Sequence, residues 1–103
     1  MQRYTTVYIL EQELKRGKTR EQELQQELMD LEDSVAEDNL SLRLLDNPGD
    51  KAQHELQLAY ARKVARKNRR IIKLSLELEQ LRDRMQDMQG RLDLMARSAT
   101  AAE

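Results

Sequence analysis

The chain has 103 residues, 36% of them charged, and its only aromatic side chains are three tyrosines. Without Phe or Trp it lacks the bulk for a wide globular core, and a domain this small buries only about 60–65% of its unfolded surface. Eighteen Lys and Arg nearly balance nineteen Asp and Glu, for a net charge of −1, so overall charge makes no case for nucleic acid or membrane. Without cysteine there is no disulfide or thiolate chemistry; that fits a reducing compartment. No window approaches the ~20 apolar residues that span a bilayer. The N-terminal apolar run is interrupted by Glu11 and lacks a secretory cleavage site, so the expected localisation is cytoplasmic, with the nucleus also open. Abundant Leu, Glu, Gln, Lys and Arg with scarce Gly and Pro is the profile of long helices and coiled coils.

Helix one is expected over residues 1–46. Alternating steps of three and four pick out Val7, Leu10, Leu14, Gly17, Glu21, Leu24, Leu28, Leu31, Val35, Asp38, Leu42 and Leu45. Nine of these twelve are apolar, which makes them the a and d positions of a heptad seam. Gly17, Glu21 and Asp38 interrupt it. Gly17 is read either as a break, ahead of a Thr19–Gln22 capping box, or as a glycine the helix runs through at about 1 kcal/mol relative to Ala. The polar interruptions specify register at some cost in stability.

The stretch Asn47-Pro48-Gly49-Asp50, residues 47–50, carries the turn and cap. Asn47 is expected as N-cap, Pro48 at the first helical position and Asp50 reaching back. The residue before a proline avoids the α region, so helix one should stop near Leu45 or Asp46. Helix two is expected over 48–98, with 99–103 as a frayed tail. Its seam runs Tyr60, Val64, Lys67, Ile71, Leu74, Leu78, Leu81, Met85, Met88, Leu92, Met95 and Ala99, eleven of twelve apolar. Met85, Met88 and Met95 read as adaptable core fillers. Lys67 is expected to snorkel toward carboxylates such as Glu27. Before Tyr60, Ala52 and Leu56 prolong the seam in steps of four, a stutter beside the turn.

The flanking charges distinguish a hairpin from a kinked helix. If seam residues whose numbers sum to 95 face each other, the fold centres between Asn47 and Pro48. Flanking g positions then meet as Glu13–Arg84, Arg20–Glu77 and Glu27–Arg70, and e positions as Glu11–Arg82 and Gln25–Asn68. One heptad further, at 102, Arg20 would meet Arg84 and Glu27 would meet Glu77. Single exposed pairs are worth only ~0.2–1 kcal/mol, but several together set orientation. The expected fold is all-α: two long helices in an antiparallel coiled-coil hairpin, with dimerisation into a four-helix bundle open to it.

Catalysis has little to stand on. His54 is the only histidine, no cysteine or second histidine accompanies it, and no glycine-rich phosphate loop is present. A surface histidine near the turn is the expectation, with no enzyme activity, no cofactor and no metal. The informative segment is A-R-K-V-A-R-K-N-R-R-I-I-K, residues 61–73, which holds seven basic residues from Arg62 to Lys73 and no acid. Lys63 and Arg70 point toward helix one. Arg62, Arg66, Arg69 and Lys73 fall at outward f and c positions and form an external stripe. Leu58, Ala65, Ile72 and Leu76 lie beside it at positions a two-stranded coil need not bury; Met29, Ala36, Leu40 and Leu44 are surplus in the same way on helix one. Surplus apolar surface rimmed by charge marks an interaction site.

Three readings of this stripe compete: a solvated coil face, a protein-docking face, and a contact for an anionic surface of lipid or nucleic acid. No aromatic residue interleaves with the cations, so the anionic surface ranks last. A basic leucine zipper is excluded, because Asn68 falls too late in the basic run and the leucine phase is wrong. The hairpin layout is similar to the antiparallel coiled-coil fingers of protein-kinase-N-like Rho effectors. The likeness covers topology and a loose run of Glu13, Leu14, Lys15 and Gly17, with fewer residues before the glycine than that family has. It implies a small GTPase of the Rho or Rab kind as an alternative partner. The expected function is a non-catalytic protein–protein interaction module that scaffolds, self-associates as a homodimer and docks a protein partner on the outer face of helix two.

Overall fold

The computed structural model describes residues 2–45 and 49–101, with side chains for 5–45 and 49–98. Two α-helices account for it: α1, Gln2–Leu44, and α2, Lys51–Ala101. Straight-chain Leu, Glu, Gln, Lys and Arg lose little rotamer freedom in a helix, which lets both run this long. They form an antiparallel helical hairpin. The chain packs as two units: a terminal unit of Met1–Leu24 with Glu77–Glu103, and a turn unit of Gln25–Leu76.

The start of α2 differs from the expected cap. Asn47 and Pro48 lie outside the described residues. The observed N-cap is Asp50, whose carbonyl accepts from the His54 amide at 3.0 Å and whose Oδ1 accepts from the Ala52 amide at 3.1 Å. An aspartate in this role satisfies first-turn amides that have no partner within the helix. At the other end of α2 the backbone is helical through Ala101, where fraying was expected from residue 99.

In the terminal unit, Leu10, Leu14, Leu24, Leu78 and Leu81 are buried. Gly17 is buried among them and α1 runs through it without a break. Thr19 Oγ1 donates to the Lys15 carbonyl at 3.2 Å, bonding back within the helix, so there is no capping box. The space left by the glycine is taken by Met85: a Cβ on Gly17 would stand 2.9 Å from Met85 Cγ and 3.0 Å from its Sδ. Glu21, half-buried, accepts from Arg82 Nε at 3.0 Å.

Among the described residues of the turn unit only Leu74 is fully buried, at 0% exposure. The remaining seam residues, Leu28, Leu31, Val35, Leu42, Leu45, Tyr60, Val64 and Ile71, are half-buried. The polar seam residues meet here. Lys67 Nζ donates to Asp38 Oδ2 at 2.5 Å and to Ser34 Oγ at 2.6 Å, and not to Glu27. The expected stutter is absent: Ala52 and Leu56 are exposed. Gln57, three residues before Tyr60, continues the heptad instead. Its Nε2 donates to the Leu45 carbonyl, one of the helix-end acceptors that lack an intrahelical partner.

These contacts correct the register. Gly17–Met85 in the terminal unit and Leu45–Gln57 in the turn unit each join residues whose numbers sum to 102, one heptad from the expected 95. Lys67 lying between Ser34 and Asp38 agrees with them. The physical reason is that this alignment gives the seam irregularities complements. The glycine receives a methionine, Asp38 receives Lys67, and Glu21 receives Arg82.

Candidate partner-docking face

The flanking charges show how the shifted register still accommodates opposite signs. Arg20 donates to Glu77 at 3.0 Å and to Glu23 at 3.2 Å, and Arg70 donates to Glu27 at 2.9 Å. These are two of the three expected g pairs, Arg20–Glu77 and Glu27–Arg70, and they form in the shifted register because a long g side chain can reach the opposite-charge g residue one heptad away. The hydrogen bond to Glu77, and secondarily that to Glu23, raises the Arg20 pKa above its ordinary value, so the guanidinium stays charged. Glu13 and Arg84 form no ion pair, although both line a surface depression beside Gly17. Arg82 takes Glu21 in place of Glu11. Gln25 and Asn68 are both exposed, with no hydrogen bond between them.

The stripe on α2 behaves differently. Arg62, Arg66, Arg69 and Lys73 are exposed and, among the described residues, make no ion pair. By contrast Arg20, Lys67, Arg70, Arg82 and Arg91 each hold a carboxylate. Lys63 does not cross to α1 either. Its ammonium lies 5.3 Å from the centre of the Tyr60 ring, a cation–π contact on its own helix. Ala59, Arg62, Lys63, Ala65, Arg66 and Arg69 line a shallow surface depression. Leu58, Ile72 and Leu76 are exposed beside the stripe, Ile72 at 69%, and Ala65 is exposed too.

On α1 the outward acids Glu23, Asp30, Asp33 and Glu37 are all exposed. Glu23 receives Arg20 and Asp30 receives the Gln26 amide at 2.9 Å. Met29, Leu40 and Leu44 stand exposed among them, Leu44 at 79%.

His54 is exposed on the first turn of α2, and its backbone amide serves the Asp50 cap. Among the described residues no group of His, Cys, Asp and Glu is arranged to hold a metal ion, and no helix is long and apolar enough to cross a membrane. Two working residues escaped the sequence reading: Gln57, whose polar side chain disguised a seam position, and Asp38 as the specific partner of Lys67. The even spacing of three and four from Tyr60 back to Gln57 was the signal that could have found the first. No family model, curated protein or solved structure matches the chain.

Proposed function

We propose that the chain is a non-catalytic interaction module, a coiled-coil hairpin that self-associates and docks protein partners through the outer face of α2. The observation that supports this reading most is the contrast between cations. Beside the seam, Arg20, Arg70 and Arg82 hold carboxylates of the opposite helix, while Arg62, Arg66, Arg69 and Lys73 make no ion pair among the described residues and lie beside exposed Leu58, Ile72 and Leu76. Unpaired cations rimming apolar side chains offer an acidic, amphipathic surface both charge complementarity and buried area. The α2 stripe is spaced four, three and four, the repeat of a helix surface, so a helical partner fits it.

The test is affinity capture with the wild type and with a variant carrying Glu at 62, 66, 69 and 73, each captured protein then being remeasured as a purified pair. Partners should bind the variant more than tenfold more weakly while its helicity by circular dichroism is unchanged. Equal binding by the two proteins would leave the stripe as a solvated coil face.

A further inference from the structure

We infer that one face of the turn unit, carrying Met29, Ala36, Ala65 and Ile72, binds a second copy of this chain across a two-fold axis parallel to the helices. The inference rests on the interaction-module reading above and names its partner. All four residues occupy b positions and are exposed, Met29 and Ile72 at 58% and 69%. The e positions between them hold Gln25, Glu32, Asn39, Ala61, Asn68 and Ser75, so this face has a single charged e residue. The opposite face, through c and g, carries Asp30, Glu37, Lys63, Arg66, Arg70 and Lys73 and is far costlier to desolvate.

Register supplies the argument for a second copy. With seam residues summing to 102 in this unit, Met29 stands level with the α2 turn that holds Ile72, and Ala36 with the turn that holds Ala65. A two-fold parallel to the helices lays α1 of one copy over α2 of the other without changing any level. Met29 then meets the second copy's Ile72, Ala36 meets its Ala65, and at the rim Asp33 meets its Arg69. Every contact occurs twice, as an isologous interface requires. The alternative two-fold, perpendicular to the helices, sets α1 over α1 and confronts Glu32 and Asp33 with their own copies, so charge selects the first orientation. At ~1.5 Å per residue and a helix spacing near 10 Å, the face is about 30 Å by about 20 Å. The dimer would bury about 1,200 Å² in total, the lower edge of specific interfaces. A dimer that forms at micromolar concentration is the expected result.

Because the chain has no cysteine, Ala36→Cys and Ala65→Cys variants can be oxidised singly and as a mixture. The mixture should give the mixed disulfide in at least fivefold excess over either self-disulfide, with circular dichroism showing that both variants fold. Predominant self-linking of Ala36→Cys, or no covalent dimer from the mixture, overturns the arrangement. As a second readout, Asp33→Arg and Arg69→Asp should each weaken dimerisation about five- to tenfold in sedimentation, and the double variant should recover it. Unchanged dimerisation in both singles contradicts the rim contact. A strictly monomeric wild type sinks this dimer yet leaves the docking stripe standing, since Arg66 and Lys73 lie on the opposite face and are read by partner binding.

Discussion

The terminal and turn units are built on the same heptad but use it differently. Five of the six buried leucines, Leu10, Leu14, Leu24, Leu78 and Leu81, belong to the terminal unit, and the turn unit has Leu74 alone. The turn unit instead places a lysine–aspartate pair in its seam and leaves Met29, Leu40, Leu44, Leu58, Ile72 and Leu76 exposed. A seam closed by leucines is sufficient for two helices to hold each other. One that is half-buried and polar, with surplus apolar residues outside, holds less by itself and has more to gain from a further surface. The terminal unit thus has the larger share of buried leucine, and the turn unit the larger share of exposed apolar side chains.

The largest effect that would sharpen this contrast is Leu24→Ala. It removes a side chain with 0% exposure and should cost about 3 kcal/mol in urea unfolding. Leu31→Ala, at a half-buried seam position of the turn unit, should cost about half as much. Equal losses would erase the distinction. Next comes the polar seam. Asp38→Ala leaves Lys67, partly buried, without its carboxylate, and should cost about 1–3 kcal/mol. Replacing both Asp38 and Lys67 by Leu should be near neutral or stabilising, with register heterogeneity as its penalty, visible as doubled amide resonances. A single well-resolved set of resonances would deny the pair its specifying role.

Smaller still are the two helical glycines. A methyl group added at Gly90 would meet nothing within 4 Å, so Gly90→Ala should gain up to about 1 kcal/mol. Gly17→Ala should gain less, because Met85 must first move aside, and thermal melts will separate the two. The smallest expected effect belongs to the exposed pairs. Arg70→Ala, breaking its bond to Glu27, should cost only ~0.2–1 kcal/mol and less at high salt.

The two helices and their seam were legible from heptad spacing, and their antiparallel pairing from the proline turn together with the flanking charges. Every seam position named in α1 from Val7 to Leu45 is buried or half-buried, as is each from Tyr60 to Met95 in α2. The register was not legible from charge. Arg20, Glu27, Arg70 and Glu77 find opposite charges in the shifted alignment as well, because a long side chain at g can choose between two partners. The discriminating information lay in the residues read as tolerated interruptions. Gly17 opposite Met85 and Asp38 beside Lys67 fix the alignment, and Gln57 hid the last seam position behind a polar side chain. The stripe of Arg62, Arg66, Arg69 and Lys73 could be placed outward from spacing alone. Its lack of ion pairs could not, since that depends on where the α1 carboxylates lie once the register is set.

The claim on which the rest depends is the antiparallel alignment of α1 and α2 in the turn unit. Nitroxides attached through Glu32→Cys with Ser75→Cys, and through Glu32→Cys with Ala61→Cys, can measure it by pulsed electron resonance in protein diluted with unlabelled chain. At ~1.5 Å per residue, the 32–75 distance should be the shorter of the two by several ångströms. A shorter 32–61 distance would restore the alignment one heptad away, and two distances both beyond about 40 Å, as helices that do not fold back require, would contradict the hairpin itself.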